Sequence, residues 1–357
     1  MKEKLPGLKI KDIILDYCLF QGGMGIGASL GPLSGGVSKK GGFGIISSAG
    51  VQGIVSYRDK KKVDLYTATR IEIERAMDFS GGRPIGINIM YALADYNVMV
   101  KASIDAHVPA IISGAGLPLP LPGIQSPGDT ALIPIVSSAR AAEIIIKRWE
   151  NYHYRPDAIV VEGPLAGGHL GFSFKDINNP EFSLEKLLPQ VLDIAHKYGD
   201  IPVIAAGGIY TNEDIIKFLR IGVSGVQMAT RFFATDENSA TQTYKQAVVD
   251  CNEDDIMVVS HPDYIPASPC GLPFRILKSS PMYTANRAPK CNKGYILQNG
   301  NCKAKESNEY LCACNGLLAS AGCEPNEPEL FTVGSNAYRI KEIVPVAKLM
   351  DELCGLE

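Results

Sequence analysis

The stretch IPVIAAGGIYTNEDIIKFLRIGVSGVQMAT, Ile201–Thr230, has the sequence pattern of a strand, a turn, a helix and a second strand. Its first run, IPVIAA, is apolar throughout, which is typical of a parallel strand covered on both faces. Gly207 and Gly208 then indicate a turn, and Thr211 or Asn212 is a candidate N-cap for the helix that follows. SGVQMAT is a second apolar run. The stretch therefore predicts a βα unit of a parallel α/β fold.

The same pattern recurs along the chain from about Ile13 to Thr235. Between the apolar runs lie segments with apolar residues at helical spacing, such as ARAAEIIIKRWENYHY and SLEKLLPQVLDIAHKYG. Eight repeats of a βα unit predict an α/β fold of the (β/α)8, or TIM-barrel, type. A doubly wound sheet is the alternative, but it usually has fewer parallel strands, and no GxGxxG here precedes an acidic residue by about 20 positions. The eight runs are ILDYCLF, GFGIISS, RPIGINIM, PAIISG, ALIPIVSS, DAIVVEG, IPVIAAGG and SGVQMAT.

Small or polar residues end most of these runs. The C-terminal ends of barrel strands form the active face, so these residues are expected to converge on one pocket. They are Gly22, Gly23, Ser47, Asn88, Ser113, Ser137, Glu162, Gly207, Gly208 and Gln227.

The sequence changes character after Thr235. HPDYIPASPCGLPFRILKSSP is rich in proline and predicts an irregular excursion. We predict a barrel over residues 1–235 and a C-terminal extension over 236–357, an appendage rather than a separately folding domain. The extension has a cysteine-rich segment, 291–323, and ends in YRIKEIVPVAKLMDEL, a closing helix whose first turns Pro345 would break or kink.

Charge and hydropathy exclude two classes of partner. With 35 Lys and Arg against 38 Asp and Glu, the formal net charge is −3, and no long run of one sign would attract a nucleic acid. The N-terminus lacks an apolar signal region, and no segment approaches the ~18 apolar residues of a membrane span. These features predict a cytoplasmic protein without a membrane partner.

The turns after the last two predicted strands form a candidate phosphate site. Backbone N–H groups at glycine turns and helix N-termini donate to phosphate without competition from side chains. Gly207 and Gly208 follow the seventh strand, and Gln227 to Thr230 follow the eighth, where barrels frequently bind phosphate. Either turn alone is equally consistent with a tight turn that binds nothing. Two adjacent turns of this kind favour a phosphate group.

QGGMG, PIGINIM, EGPLAGGHLGF, IPVIAAGGI and GVQMATRF occur in an order and spacing that resembles the nitronate monooxygenase family of FMN-dependent barrel proteins. The resemblance covers roughly Leu15 to Thr235. Flavin-dependent enoyl-[acyl carrier protein] reductases share the same plan. The resemblance implies an FMN cofactor and the oxidation of alkyl nitronates or nitroalkanes with dioxygen to a carbonyl compound and nitrite.

The resemblance also implies where the cofactor binds. The FMN phosphate would lie against the two turns, Gly167 and Gly168 against the flavin, and the Asn88 amide in hydrogen-bonding range of it. Glu162 stands where many family members have glutamine, and a carboxylate donates a hydrogen bond only when protonated. The implied cofactor-binding residues are Gly23, Met24, Asn88, Glu162, Gly167, Gly168, Gly207, Gly208, Gln227, Met228, Ala229 and Thr230.

His169 matches the catalytic histidine of the family. Its imidazole would act as a general base toward the acidic α-proton of a nitroalkane or would orient the nitronate, and an unperturbed pKa near ~6.5 suits either role. The alternative is a loop histidine that caps backbone groups. His107, His153, His196 and His261 are expected to be surface or packing residues.

Three functions remain open on the sequence. The first is the monooxygenase, with a small-molecule substrate and O2. The second is an NAD(P)H-dependent enoyl-[acyl carrier protein] reductase of fatty acid synthesis, although no nicotinamide site is evident. The third is a flavin-binding regulatory protein that uses the cysteine-rich segment as an interaction surface. The sequence also leaves open a homodimer.

Five cysteines lie in the segment from Cys291 to Cys323. Thiolates bind zinc and iron–sulfur clusters, so a metal site is one hypothesis. The segment lacks a CxxC pair and a histidine, and the alternative is reduced thiols that pack an irregular region, or a disulfide. Separately, Cys270 in SPCGLP is a candidate pocket residue, with a buried, inert thiol as its alternative.

Overall fold

The computed structural model describes residues 2–284, 291, 293–295 and 302–356. Strands and helices alternate through the first two thirds of the chain. The strands are β1 (Leu8–Ile10), β2 (Ile13–Leu15), β3 (Leu19–Gln21), β4 (Phe43–Ser47), β5 (Ile85–Met90), β6 (Ala110–Gly114), β7 (Ala131–Val136), β8 (Ile159–Glu162), β9 (Gly168–His169), β10 (Val203–Ala206), β11 (Gly225–Met228), β12 (Ile256–Val259) and β13 (Phe274–Leu277). The helices are α1 (Gly31–Lys39), α2 (Val51–Arg58), α3 (Leu65–Ser80), α4 (Tyr96–Asp105), α5 (Leu121–Ile124), α6 (Ala139–Glu150), α7 (Leu184–Lys197), α8 (Asn212–Ile221), α9 (Gln242–Asp250), α10 (Pro281–Thr284), α11 (Lys303–Glu306), α12 (Ala313–Ser320) and α13 (Val346–Leu353).

Eight parallel strands close into a barrel. Their order around it is β3, β4, β5, β6, β7, β8, β10 and β11, and β11 pairs with β3 to complete the ring. The predicted (β/α)8 fold is confirmed, and a barrel strand lies wholly or partly in each of the eight predicted runs. Thr211 is the N-cap of α8: its hydroxyl accepts from the Asp214 N–H, and the Asp214 carboxylate accepts from the N-cap backbone.

The prediction for the first run, ILDYCLF, was wrong in extent. Ile13–Leu15 pairs antiparallel with Leu8–Ile10, and the barrel strand begins only at Leu19. The hairpin side chains Ile10, Ile13 and Leu15 are buried in one cluster with the barrel interior. The apolar run therefore serves two elements, because the same hydrophobicity suits a barrel strand and a hairpin that covers the barrel's N-terminal end.

Along each barrel strand, alternate side chains point into the barrel, and the side chains between them pack outward against the helices. Phe43 and Ile45 of β4 belong to the interior cluster, whereas Ile46 belongs to the outer cluster. This alternation is the two-residue period of a strand, hidden in the sequence because both faces are apolar.

The C-terminal extension packs back onto the barrel. β13 pairs antiparallel with β12 and with β9, a short strand in the loop after β8. α13 begins directly after Pro345, so the proline lies at the helix N-terminus and not inside it. None of the helices in the described part of the chain is both long and apolar enough to cross a membrane.

Gly44 lets α1 pack directly on β4. A Cβ added to Gly44 would overlap the carbonyl oxygen of Ser34 in α1, far inside van der Waals contact. Both groups are backbone or bonded to it, so relief requires the helix to move. Gly36, in the same helix, has its nearest neighbour at 3.7 Å and has room for a methyl group.

We expect Gly44→Ala to destabilise the protein by about 3 kcal/mol or more, because overpacking shifts the helix. Gly36→Ala is the matched control and should be neutral or stabilising, since alanine favours a helix interior. Urea unfolding of both variants measures the difference. Equal free energies of unfolding would show that α1 does not pack as closely as described.

Candidate active site

A cavity of about 450 Å³ opens at the C-terminal ends of the barrel strands. Its size is in the range of cofactor and substrate sites. The structure brings every predicted site residue into its wall: Gly23, Met24, Asn88, Glu162, Gly167, Gly168, His169, Gly207, Gly208, Gln227, Met228, Ala229 and Thr230. His107, His153, His196 and His261 do not line it.

The turn after β10 is packed too closely for side chains. Gly207 and Gly208 have φ of 96° and 80°, in the left-handed region that favours glycine. A Cβ on Gly207 would lie 2.9 Å from the carbonyl oxygen of Gly163, and one on Gly208 would lie 2.8 Å from the Cβ of Leu165. The turn therefore presents bare backbone to the cavity.

The C-terminal extension completes this end of the cavity with residues that the sequence analysis missed. The Gly334 N–H donates to Thr230 Oγ1 at 2.9 Å, and the Asn336 amide donates to the Gly208 carbonyl at 2.7 Å. Gly167 fits against the backbone of Val333, where a Cβ would come within 2.6 Å. The signal available in the sequence was GSN, a turn-forming cluster after the mainly apolar run LFTV.

Three buried polar atoms in the cavity wall lack a hydrogen-bond partner in the described protein: Ser335 Oγ, Arg231 Nε and Gln227 Oε1. The other guanidinium nitrogens of Arg231 donate to the Tyr210 hydroxyl at 3.0 Å and to Glu352 at 2.7 Å. Buried polar groups are rarely left unpaired. A ligand with acceptor oxygens at this end would pair with the hydroxyl and the guanidinium N–H.

Glu162, in the cavity wall, interacts electrostatically with the buried Arg275. Burial raises the pKa of Glu162 to about 7, and the nearby Arg275 charge opposes that rise. Burial also lowers the pKa of Arg275 to about 10, with Glu162 opposing. Arg275 donates to the carbonyl oxygens of Pro164 and Ala166, so it also holds the loop that leads to His169.

His169 lies in β9, opposite Phe274 of β13. The two rings are tilted with centroids 4.3 Å apart, and His169 Nε2 is 2.6 Å from the Ser268 hydroxyl. Burial lowers the pKa of His169 to about 4, so the ring is neutral at pH 7. A neutral imidazole in a cavity wall is able to accept a proton.

Apolar side chains line the opposite side of the cavity mouth. Met90 ends β5, Leu93 lies shortly after it, and Leu117 follows β6. In the strand order, β5 and β6 lie across the barrel from β10 and β11. Near β4, a Cβ on Gly23 would lie 2.5 Å from the Cβ of Asn88, so backbone alone reaches the cavity there.

The cysteine-rich segment brings four free thiols into contact in the described part of the chain, which leaves out residues 292 and 296–301. The Cys291 thiol contacts those of Cys302 and Cys312, and the Cys312 thiol also contacts that of Cys314. Hydrogen bonding from Cys314 lowers the pKa of Cys312 to about 6. Over residues 2–284, 291, 293–295 and 302–356, no group of three or more His, Cys, Asp or Glu is arranged to hold a metal ion. The zinc or iron–sulfur hypothesis therefore finds no ligand cluster among these residues.

Cys314 lines the cavity, whereas Cys270 does not. Burial raises the pKa of the Cys270 thiol to about 11, which describes an inert thiol rather than a reactive one. The pocket position considered for Cys270 is thus not found.

Solved structures share this architecture. FabK from Thermotoga maritima is 25% identical, with a TM-score of 0.70 over 96% of this chain and 92% of that chain. A nitroalkane oxidase from Streptomyces ansochromogenes is 21% identical, with a TM-score of 0.68 over 96% of this chain and 95% of that chain. At that identity, the second likeness shows the fold alone.

Sequence relatives are similar over a shorter length. A probable nitronate monooxygenase of Staphylococcus haemolyticus is 40% identical over 111 residues, which are 30% of this chain and 30% of that protein. One from Staphylococcus aureus strain JH9 is 37% identical over 103 residues, 29% of this chain and 28% of that protein. The chain thus spans about 30% of the length of the curated relatives that it matches.

A family model described as nitronate monooxygenase matches residues 8–355, nearly the whole chain. The resemblance drawn from the motifs is thereby confirmed. The chain belongs to the nitronate monooxygenase family of oxidoreductase enzymes.

Proposed function

We propose that this chain is an FMN-dependent nitronate monooxygenase that oxidises alkyl nitronates or nitroalkanes with dioxygen to a carbonyl compound and nitrite. One observation carries the proposal: a neutral, partly buried His169 lies in the wall of the same cavity as the backbone turns that end β10 and β11, which suit an anion. A base and an anion site in one cavity are what this chemistry requires.

The residues at the phosphate end fit FMN. Glycine backbone at the Gly207 turn leaves space for phosphate oxygens, and the unpaired Ser335 hydroxyl and Arg231 Nε–H supply donors. The unpaired Gln227 Oε1 is an acceptor for a hydroxyl or ring N–H of the same ligand. Each of these three unsatisfied atoms in the cavity wall thus has a partner of matching chemistry.

The remaining wall fits a flat ring. Gly23 and Gly167 have no room for side chains because Asn88 and Val333 press on them from behind, so their backbone forms the cavity surface. When bound, FMN accepts the electrons removed from the substrate. The protein's own contribution is to position the substrate, exclude water and hold the base.

His169 takes the α-proton of a neutral nitroalkane in this proposal. A new N–H bond forms on the imidazole, the C–H bond breaks, and the electron pair stays on the nitronate. The lowered pKa keeps the ring unprotonated at neutral pH, so the base form is fully populated. A nitronate supplied already deprotonated does not need this step.

A flavin-dependent enoyl reductase is the second candidate, and the apolar side of the mouth favours it. Met90, Leu93 and Leu117 suit an extended hydrocarbon better than a short nitroalkane.

Anaerobic mixing of the yellow protein with NADH or NADPH distinguishes the reductase from the monooxygenase. Rapid bleaching supports the reductase, and no bleaching supports the monooxygenase.

Ser335→Ala is expected to weaken FMN binding about 10-fold or more, because a hydrogen bond to a charged group is lost. Riboflavin, which lacks the phosphate, should bind both proteins equally. Ser137→Ala removes a cavity-lining hydroxyl just after β7 and serves as the control variant. Fluorescence titration of the apoprotein measures both ligands. Equal losses for FMN and riboflavin would mean that Ser335 is not at the phosphate.

Glu162→Gln is expected to change how stability depends on pH. In the folded protein the Glu162 carboxyl keeps its proton up to about pH 7, whereas in the unfolded chain it releases the proton near pH 4.5. The unsubstituted protein therefore loses stability as the pH rises between these values. The glutamine variant lacks this loss. The free energy of unfolding of Glu162→Gln, minus that of the unsubstituted protein, should therefore rise by about 2–3 kcal/mol from pH 4.5 to 8.

Urea unfolding of the two apoproteins across this pH range checks the expectation. Only the change with pH is informative, since the substitution also removes the charge beside Arg275. Parallel pH profiles would show that the carboxyl of Glu162 titrates normally.

His169→Asn is expected to lower turnover of neutral nitroalkanes about 100-fold or more while leaving FMN bound, since general-base catalysis contributes roughly 10²–10⁴. Oxidation of preformed nitronate should change far less. Oxygen consumption measures turnover, and flavin absorbance measures occupancy. His196→Asn, on α7 and outside the cavity, is the control. Undiminished turnover of the neutral substrate would remove His169 from the role of base.

A further inference from the structure

Ser268 is a buried residue of the C-terminal extension that reaches the histidine loop. It lies between β12 and β13, is 1% exposed, and places its hydroxyl 2.6 Å from His169 Nε2. The segments are held together by backbone pairing: β9 pairs with β13, and the Leu170 N–H donates to the Pro273 carbonyl at 2.9 Å. The contact therefore belongs to a fixed frame and not to two free side chains.

The contact restricts which nitrogen of His169 is able to act as a base. A neutral imidazole has one N–H and one lone pair, on different nitrogens. If Ser268 holds Nε2, the nitrogen that is left to take a proton from substrate is Nδ1. This requires the resting ring to carry its proton on Nε2 and to donate it to the serine oxygen.

Cys270 favours the arrangement in which His169 Nε2–H donates and the Ser268 oxygen accepts. The Cys270 side chain is hydrogen-bonded to that of Ser268, and its backbone N–H donates to the Ser268 oxygen at 3.4 Å. With the serine proton directed at sulfur, an oxygen lone pair is left for His169 Nε2–H. The order of donors then runs from imidazole to serine to thiol.

We propose that Ser268 is a positioning residue that accepts the Nε2–H bond of His169 and so leaves the Nδ1 lone pair as the base. The proposal rests on the proposed function, because it concerns the proton-transfer step. When Nδ1 takes the proton, the ring becomes an imidazolium whose Nε2–H still donates to the serine oxygen. Packing against Phe274 fixes the plane of the ring during this change.

Ser268→Ala tests the proposal by its effect on two substrates. Turnover of a neutral nitroalkane such as nitroethane should fall roughly 10-fold in kcat, the size of one lost hydrogen bond, with KM little changed. Turnover of ethyl nitronate, prepared beforehand in base, should be unchanged because no proton is removed. Ser260→Ala, another buried serine of the same segment, is the control and should match the native protein on both substrates. Ser268→Thr keeps the hydroxyl and should recover most of the activity.

Equal losses on both substrates, or no loss on either, would overturn the proposal. An independent measurement does not depend on activity: ¹⁵N spectra of histidine-labelled protein, with the His169 signal identified by its absence in His169→Asn. The Nε2–H tautomer is expected in the native protein, and the Nδ1–H tautomer would contradict the proposal. If the native protein does not oxidise nitronates at all, the proposed function fails, and the tautomer still decides the role of Ser268.

Discussion

Closure of eight parallel strands is the constraint on which the rest of the molecule depends. Closure satisfies the backbone hydrogen bonds of every barrel strand and brings all eight C-terminal ends to one rim. Residues far apart in sequence, such as Gly23 and Thr230, therefore line one cavity without any direct attraction between them. The hairpin of β1 and β2 covers the other end, so the rim that carries the cavity is the end that remains open to ligands.

Most of this rim was predictable because the strand signal is local. An apolar run that ends in glycine or a polar residue identifies both a strand and its C-terminal end, and the barrel then determines where that end lies. The boundary of the first strand was not predictable in the same way. Leu15 and Leu19 are equally apolar, and only the turn between them separates a hairpin that covers the barrel from a strand within it.

The part of the site that could not be predicted comes from the C-terminal extension. Ser268, Arg275 and Ser335 have no local pattern that points to a cavity. Ser335 lines the cavity, whereas Ser268 and Arg275 contact the wall residues His169 and Ala166, and all these contacts join residues about 100 positions or more apart. Burial also changes what the predicted residues do. The pKa of His169 was expected near ~6.5, but burial lowers it, so the ring is uncharged at pH 7. The same burial raises the pKa of Glu162, because in both residues it disfavours the charged form.

The tight packing of Gly167 against Val333 has a consequence for protein engineering. The main chain at Val333 leaves no space for even one methyl group on Gly167. The loop that contains Gly167 and the segment that contains Val333 therefore have complementary shapes. A chimera that transplanted the barrel loops of one homologue onto the tail of another would join two surfaces that were never matched. Successful recombination would have to exchange the Gly167 loop and the Val333 segment together.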